Sequence, residues 1–577
     1  MQYLKKIYFL LSPSQRKEGV LLFFMILIMA LVDVIGVASI LPFIAVLSNP
    51  SLIESNSILN EVFKISSIFG VQSKLDFFFT LGVFTFLLLI SSLIFKAIAT
   101  FLQVRFVQMS EYSISKNLFE GYLHQKYSWF ISSNSSNLAK NILSEVSIIC
   151  GRGINPFIEL LANLIVSILL ISLLIFINPE IALTVASSLS LIYIIIFYFV
   201  RNKIQLLGVK RSTNNQFRFK VISEAFGAIK EVKLRNLEKK LTNIFANYGK
   251  IFAQSQALSQ IISQLPRYIL EAISFGGILL ILLFIMKDTG SFSNALPIIS
   301  VYVFAGYRLI PSLQKIYNSF SSLTFVSSSL DKLFNEINDL NKYDNIEYSP
   351  INISFKNFIK FKNIYYRYPN SLKTSLNNIN LTIPINSKVG LVGTTGSGKT
   401  TLVDIILGLL EPHQGTMEVD GKVISKENLR SWQNLLGYVP QNIYLSDDNV
   451  LKNIAFGLSD NHIDQALVEK VAKIANIDEF IKNELPNKYY TKIGERGIRL
   501  SGGQRQRIGI ARALYNSPKV LILDEATSAL DNQTEKKVMD EINKISKNLT
   551  TIIIAHRLNT VEDCNIIFKL EKGQIIN

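Results

Sequence analysis

The sequence predicts two parts of different kinds: an α-helical domain that crosses a membrane several times, followed by an α/β domain of the P-loop type. Of the 577 residues, 49% are hydrophobic and the mean hydropathy is +0.31, so part of the chain is apolar enough to lie in lipid. From about residue 355 onward, strand-like and helix-like runs alternate, as in soluble α/β domains. At roughly 100–200 residues per domain, the chain is also too long for one core.

Six runs have the ~20 apolar residues that a helix needs to cross a bilayer; they lie near 19–47, 77–103, 156–177, 180–200, 268–286 and 293–320. Short connections at 178–180 and 287–294 join spans three to four and five to six. Long basic linkers at 104–155 and 201–267 alternate with them, and the positive-inside bias places these linkers in the cytoplasm. Their apolar spacing predicts helices that continue beyond the membrane. Residues 51–70 have the spacing of a short external helix.

The net charge of +16 comes largely from basic side chains that lie between two predicted spans. Many fall within 201–250, which is typical of a cytoplasmic loop and argues against a nucleic-acid surface. Residues 1–18 contain no convincing cleavage site, so we expect an interfacial amphipathic helix rather than a signal peptide. The two cysteines, Cys150 and Cys564, form neither a disulfide framework nor a metal-like spacing.

Residues 393–400, GTTGSGKT, follow the apolar strand-like run KVGLV and precede a helix-like run. This is the G-x-x-x-x-G-K-[ST] motif in the strand–loop–helix context that it requires. The glycines let backbone N–H groups face phosphate oxygens, assisted by the following helix N-terminus. Lys399 would reach the β- and γ-phosphates of ATP, and Thr400 would bind Mg²⁺. The residues predicted to bind the nucleotide here are Gly393, Thr394, Thr395, Gly396, Ser397, Gly398, Lys399, Thr400 and Thr401.

Two acids end the strand-like run VLILDE at 520–525. Asp524 would hold Mg²⁺, directly or through water, and Glu525 is placed to polarise the water that attacks the γ-phosphate. Two acids after a strand are, on their own, more often solvated turn residues. Beside a complete P-loop, the catalytic interpretation is favoured.

The run LSGGQ at 500–504 resembles the signature of ATP-binding-cassette (ABC) proteins, and a generic P-loop ATPase has no need of it. The other motifs of that family follow in the expected order: Tyr368 in YYRYP resembles the adenine-stacking aromatic, Gln441 in YVPQ the Q-loop, 494–497 the exporter x-loop, 528–531 the D-loop, and His556 in IIIAHR the switch histidine. The resemblance spans essentially the whole chain, because six spans before one cassette is the arrangement of a type IV ABC exporter half-transporter.

The resemblance implies a membrane domain at 1–335, a linker at 336–354 and an ATP-binding cassette at 355–577. It implies that Gln441 and His556 act with Glu525 in hydrolysis, and that Gln441 also contributes to the Mg²⁺ site. Two cassettes would pair head to tail as a homodimer. ATP would then lie between the P-loop of one chain and the signature of the other, which supplies Ser501, Gly502, Gly503 and Gln504. The coupling helices would lie at 127–134 and 228–236.

A closer resemblance concerns the membrane part. The segments 265–275 and 307–320 are similar to those of the PglK-type flippases for lipid-linked oligosaccharides, and the external segment at 51–70 fits that family too. This resemblance implies a polyprenyl-pyrophosphate-linked substrate and a place in the bacterial inner membrane. One departure is visible: Lys96 stands where we expect that family to carry arginine, which keeps the charge but loses the bidentate fork.

Four cations in or near the spans are candidate substrate contacts: Lys96, Arg267, Arg308 and Lys315. Arg308 lies ~22 Å into the sixth span at ~1.5 Å per residue, and an unpaired charge at such depth costs at least ~2.5 kcal/mol. Structural alternatives remain for each. Lys96 can reach the interface, Arg267 can pair with Glu271, Lys315 can lie in a cytoplasmic extension, and Arg308 can be half of a buried ion pair.

Other functions remain open at this stage. The same ATPase could export a different amphiphile, such as a lipid A precursor, a drug or a peptide. A non-transporting ATP-gated channel or sensor is a further alternative, although the intact Glu525 and LSGGQ favour real ATP turnover.

Overall fold

The structure is a computed structural model. It describes residues 2–48, 50–68, 71, 73–177, 179–289, 292–340, 351–369, 371–526, 532–545, 549–555 and 561–576. The chain forms two compact units. Unit 1 comprises Met1–Gln125 and Ser133–Asp344, and unit 2 comprises Lys126–Ser132 and Asn345–Asn577.

The described residues up to Leu340 are helical almost throughout. The helices are α1 Gln2–Leu10, α2 Pro13–Ala38, α3 Ile40–Ser48, α4 Leu52–Ser55, α5 Ser57–Ser67, α6 Lys74–Leu123, α7 Tyr127–Ser132, α8 Ser135–Lys140, α9 Val146–Ile149, α10 Asn155–Ile177, α11 Pro179–Gly227, α12 Ile229–Leu234, α13 Glu238–Thr289 and α14 Phe292–Leu340. Two π-helical segments, Asn141–Glu145 and Cys150–Ile154, flank α9.

Four stretches of the described chain are long and apolar enough to cross a membrane: Pro13–Leu47, Lys74–Leu123, Ser135–Phe176 and Ser190–Gly227. They contain the first two predicted spans and overlap the third and the fourth. The fifth and sixth predicted spans fall in α13 and α14, where most side chains between 273 and 305 lie outside the described set.

Four helices are far longer than a bilayer is thick. α6, α11, α13 and α14 have 50, 49, 52 and 49 residues. At ~1.5 Å per residue each is about 75 Å long, against ~30 Å for the hydrocarbon core. The predicted continuation of the helices beyond the membrane is therefore confirmed. Short helices also occur at the N-terminus, within 51–70, and at both segments predicted to couple the domains.

The structure differs from the predicted domain boundaries in two respects. α7, predicted as part of the 1–335 membrane domain, belongs by its contacts to unit 2. In addition, α14 continues to Leu340, past the predicted start of the linker at 336. The remaining linker residues up to 350 lie outside the described part of the chain.

Unit 2 contains two sheets and seven α-helices after residue 350 in its described part. The strands are β1 Phe358–Tyr366, β2 Leu376–Pro384, β3 Lys388–Gly393, β4 Gln414–Val419, β5 Lys422–Val423, β6 Leu436–Val439, β7 Val520–Asp524, β8 Thr550–Ala555, β9 Ile566–Glu571 and β10 Gln574–Ile576. The helices are α15 Lys399–Ile406, α16 Leu429–Gln433, α17 Val450–Ile454, α18 Gln465–Ile474, α19 Asp478–Asn483, α20 Gly502–Tyr515 and α21 Asn532–Ile545.

The larger sheet has the order β10-β9-β3-β8-β7-β6, and all its pairings are parallel except β9 with β10. β7 and β8 are buried along their whole length, which explains their continuous apolar, β-branched sequences. Parallel strands present their carboxyl ends at one edge of a sheet. The residues that follow β3, β6 and β7 therefore meet at the same edge.

Candidate nucleotide site and membrane cavity

The glycine-rich loop between β3 and α15 forms a cradle of backbone amides. A Cβ on Gly393 would lie 2.2 Å from the carbonyl oxygen of Leu570, so only glycine fits where the loop begins. Gly396 has a left-handed φ of 79°, and the space beside its Cα is open. A left-handed residue lets successive N–H groups point to one side, and the N-terminus of α15 favours an anion there. The loop therefore fits a phosphate group.

Lys399 and Ser397 are buried polar side chains of this loop. Lys399 Nζ donates to two loop carbonyl oxygens, at 2.7 and 3.1 Å. Burial lowers the pKa of Lys399, while the charges of Glu525 and Asp524 raise it. Ser397 Oγ is buried without a hydrogen-bond partner in the described chain, which costs ~1–3 kcal/mol until a partner binds. Both side chains thus fit the phosphates of ATP.

Tyr368 lies beside the first turn of α15. Its hydroxyl oxygen is 3.2 Å from Thr401 Oγ1, which places the predicted adenine-stacking ring next to the phosphate loop. Thr394, Thr395 and Thr400 have exposed side chains along the same loop and first turn. All predicted residues of the P-loop are therefore brought together.

The acids that end β7 meet the Q-loop at the edge of the sheet. Gln441 Nε2 donates to Glu525 Oε2 over 2.6 Å, and Tyr438 donates to Asp524 Oδ2 over 3.4 Å. Glu525 has a left-handed φ of 49°, a strained conformation for a non-glycine residue that often marks functional sites. Because the bond to Glu525 uses the amide nitrogen of Gln441, the amide oxygen is the atom that could contact a cation.

The signature residues form the N-terminus of the 14-residue helix α20. Ser501 is its N-cap: the hydroxyl accepts from Gln504 N at 3.2 Å, and Gln504 Oε1 accepts from Ser501 N at 2.8 Å. Gly502 and Gly503 lie in the first turn. This exposed helix end can bind an anion, but no hydrogen bond joins it to the P-loop of its own chain in the described residues.

Two predicted motifs lie outside the described residues: His556 and the D-loop at 528–531. His556 directly follows β8, which lies between β3 and β7 in the sheet.

The short helix α7 lies against the nucleotide-binding fold within unit 2. Lys126, which precedes α7, forms an ion pair with Glu411 at 3.0 Å. Burial raises the pKa of Tyr127, and the nearby charge of Asp404 adds to the increase. Asp404 lies on α15, so α7 is close to the helix that follows the phosphate loop.

Unit 1 contains a cavity of about 610 Å³ between its helices. Three of the four candidate cations line it: Lys96 from α6, and Arg308 and Lys315 from α14. Lys96 is within electrostatic range of the other two and of Asp33. The cavity therefore brings together the cations that the sequence singled out, with the exception of Arg267.

Arg308 is not alone in this cavity. Its Nη1 is 3.0 Å from Asp33 Oδ1, and the two side chains are 18% and 7% exposed. The same carboxylate oxygen accepts a hydrogen bond from Ser92 Oγ at 2.7 Å. The sequence left two interpretations of Arg308 open, a substrate contact and half of a buried ion pair. In the structure Arg308 both lines the cavity and forms an ion pair.

Arg267 does not join the other cations. Its Nε bonds Glu271 Oε1 at 2.7 Å, one helical turn away, and its side chain is 61% exposed. The structure therefore favours the structural alternative for Arg267 over a place among the cavity residues.

Comparison with known proteins decides the family. The model of the ABC transporter transmembrane region matches residues 20–305, and that of the ABC transporter cassette matches 376–528. The ATP-dependent lipid A-core flippase of Saccharophagus degradans is 32% identical over 484 residues, which cover 80% of this chain and 78% of that protein. The chain belongs to the ABC transporter family.

Two further similarities agree with this family. The ATP-dependent lipid A-core flippase of Cupriavidus pinatubonensis is 29% identical over 469 residues, 79% of this transporter and 77% of that protein. The solved structure of a bacterial Atm1-family ABC exporter with ATP bound matches the fold with a TM-score of 0.77 at 21% identity, covering 98% of this chain and 95% of that one. The transporter thus has the type IV exporter fold and is a membrane-embedded, ATP-binding ATPase coupled to transport.

Several residues of the transporter's sites were not predicted. Asp33 could have been found, because it is a single acid in the apolar run of the first span, and a charge at such a position indicates a partner or a functional site. Tyr438 lies three residues before Gln441, but only the strand pairing of β6 with β7 brings it to Asp524. Asn155, Glu159 and Asn163 also line the cavity. They recur every four residues along α10, which predicts one polar face.

Proposed function

We propose that this transporter is an ATP-driven flippase that moves a polyprenyl-pyrophosphate-linked oligosaccharide across the bacterial inner membrane. The observation that carries the proposal is the cavity lined by Lys96, Arg308 and Lys315. These three cations outnumber the two acids, Asp33 and Glu159, in the described lining. A cavity of net positive charge attracts a pyrophosphate headgroup and can bind its oxygens through charge-assisted hydrogen bonds.

The orientation that we propose places the cassette in the cytoplasm. The basic linkers at 104–155 and 201–267 carry the transporter's strongest concentration of positive charge between spans, and such loops remain on the cytoplasmic side. A substrate from the cytoplasmic leaflet would then meet the cavity before translocation.

The active form that we propose is a homodimer. Each chain has one P-loop and one signature helix. The exposed N-terminus of α20 can bind the γ-phosphate of a nucleotide held by another chain, through Ser501 and the backbone of Gly503. Two identical chains would form two such composite sites, because every motif is intact in this sequence.

For hydrolysis we propose that Glu525 orients the attacking water and accepts its proton. Gln441 holds the Glu525 carboxylate through the 2.6 Å bond, and His556 would contact the γ-phosphate. When bound, Mg²⁺ neutralises charge on the β- and γ-phosphates. Thr400, Asp524 and the amide oxygen of Gln441 have the oxygen donors that would hold it.

A second candidate substrate is a lipid A precursor, because two of the relatives are ATP-dependent lipid A-core flippases. Such a lipid also combines phosphates, sugars and apolar chains, so the cation-lined cavity fits it on the same grounds. Export of a drug or a peptide draws no support from a cavity whose described charges are mainly positive.

Reconstituted proteoliposomes separate these candidates. The purified transporter is inserted into liposomes that contain either a polyprenyl-pyrophosphate-linked glycan or a lipid A precursor, and ATPase stimulation and lipid flipping are both measured. We expect the pyrophosphate lipid to stimulate ATPase activity and to be flipped. Flipping of the lipid A precursor alone would assign the second substrate, and flipping of neither would refute the proposed function.

A further inference from the structure

One wall of the cavity in unit 1 is built from amides and a carboxylate instead of cations. Asn155, Glu159 and Asn163 lie four residues apart on α10 and therefore on one helical face, and all three line the cavity. Gln103 from α6 lines it beside them. We name these four residues the amide wall.

Hydrogen bonds within the amide wall fix its side chains. Gln103 Nε2 donates to Asn155 Oδ1 at 2.8 Å, and Asn155 Nδ2 donates to Glu159 Oε1 at 3.3 Å. Asn163 Nδ2 donates to the backbone oxygen of Glu159 at 2.7 Å. These bonds leave Gln103 Oε1, Glu159 Oε2 and Asn163 Oδ1 as acceptors without a partner in the part of the chain that the structure describes. The wall is therefore a preformed row of acceptors facing a cavity.

The chemistry of these acceptors determines which part of an amphiphilic substrate can bind at the amide wall. A phosphate has only acceptors at neutral pH, and Glu159 would repel it. An apolar chain would leave the wall unsatisfied, at ~1–3 kcal/mol per buried polar group. A basic group would suit Glu159 but would be repelled by Lys96, Arg308 and Lys315. A hydroxyl group donates to amide and carboxylate oxygens and carries no charge, so it fits both the wall and its surroundings.

We propose that the amide wall binds the sugar residue attached to the phosphate of the transported lipid. This inference rests on the proposed function and extends it, because it gives the glycan a binding site of its own. The cations and the amide wall line a single cavity, so phosphate and first sugar can be bound together. The transporter would then distinguish a glycosylated lipid from the bare lipid phosphate.

The test compares two lipids in nanodiscs: a polyprenyl diphosphate carrying one sugar, and the same polyprenyl diphosphate without it. Affinity is measured by direct binding and by half-saturation of ATPase stimulation. Wild type should bind the glycosylated lipid more tightly. Asn163→Ala and Glu159→Ala should each weaken its binding roughly three- to tenfold, the value of one lost hydrogen bond. Asn163→Ala should leave binding of the bare lipid unchanged, and Glu159→Ala, which also removes a charge that repels phosphate, should not weaken it.

Two controls make the result decisive. Asn202→Ala removes an exposed amide from α11 and should alter neither affinity, while melting temperatures show that the variants fold. Two results would overturn this inference without touching the proposed function. Wild type could bind both lipids with equal affinity, or both wall variants could bind the glycosylated lipid as tightly as wild type does. If wild type bound neither lipid, the proposed function itself would fail and this inference with it.

Discussion

Arg308 and Asp33 form an ion pair inside the membrane cavity, with Nη1 and Oδ1 3.0 Å apart. They come from α14 and α2, which are far apart in sequence. Ser92 from α6 donates to the same carboxylate oxygen, so three helices are joined at one point. Asp33 thus neutralises the charge of Arg308 in an apolar span, while Arg308 still lines the cavity. A headgroup phosphate would have to share Arg308 with Asp33 or displace the Asp33 carboxylate from the arginine.

The pair predicts that Arg308→Ala combines two defects. Loss of the cation should abolish stimulation by the pyrophosphate lipid, and the unpaired Asp33 should destabilise the fold by ~3–5 kcal/mol. The double variant Asp33→Asn/Arg308→Gln removes both charges, so it should recover most of the melting temperature while remaining unresponsive to lipid. Stimulation of this double variant at the wild-type level would exclude Arg308 as a headgroup contact.

Arg267→Ala is the matched control for that experiment. Its i,i+4 pair with Glu271 is exposed, so solvent screens the attraction and the pair contributes little to stability. We therefore expect wild-type melting temperature and lipid stimulation in this variant. A large loss of stimulation would return Arg267 to the group of substrate contacts.

The sequence predicted the cassette in more detail than the membrane cavity, for a physical reason. Phosphate chemistry depends on local motifs, so the P-loop run 393–400 and the acids after β7 could be recognised from contiguous residues. The ion pair of Arg308 with Asp33, by contrast, joins distant helices. A charge in an apolar span predicts that a partner exists, but the helix packing selects which one. For Arg267 the local partner at Glu271 was among the alternatives, and it is the one observed.

Glu525→Gln should abolish ATP hydrolysis while nucleotide binding persists. The amide cannot accept the proton of the attacking water, but the P-loop remains intact. ATPase activity should fall at least ~100-fold, the scale of general-base catalysis, and the variant should retain ATP on a filter or by fluorescence. Gln441→Ala is the companion variant, because it releases the carboxylate instead of replacing it, and it should cost less activity. Near-wild-type turnover in Glu525→Gln would refute its assignment as the base.

Mixed dimers test the composite site. Lys399→Ala removes the lysine that would reach the phosphates, and Ser501→Arg introduces bulk and charge at the N-cap of α20. Neither homodimer should hydrolyse ATP. A heterodimer of the two retains one site with an intact P-loop and an intact opposing signature, so tandem purification with two tags should recover part of the wild-type activity. Full activity of a monomer in detergent would contradict the requirement for two chains.

Asp404 predicts a pH-dependent stability for the cassette without bound nucleotide. Burial, with a smaller effect from the charge of Asp524, raises the pKa of Asp404 from 3.8 to about 6. Because the folded state binds this proton more tightly than the unfolded chain, the carboxyl group destabilises the fold progressively as the pH rises from about 4 to about 6. Above about pH 6, a pKa shift of this size corresponds to a loss of roughly 1–3 kcal/mol in the free energy of unfolding. Asp404→Asn should therefore raise the melting temperature more at pH 8 than at pH 4, measured on the full chain in EDTA. An equal change at both pH values would show that Asp404 acts through packing instead of charge.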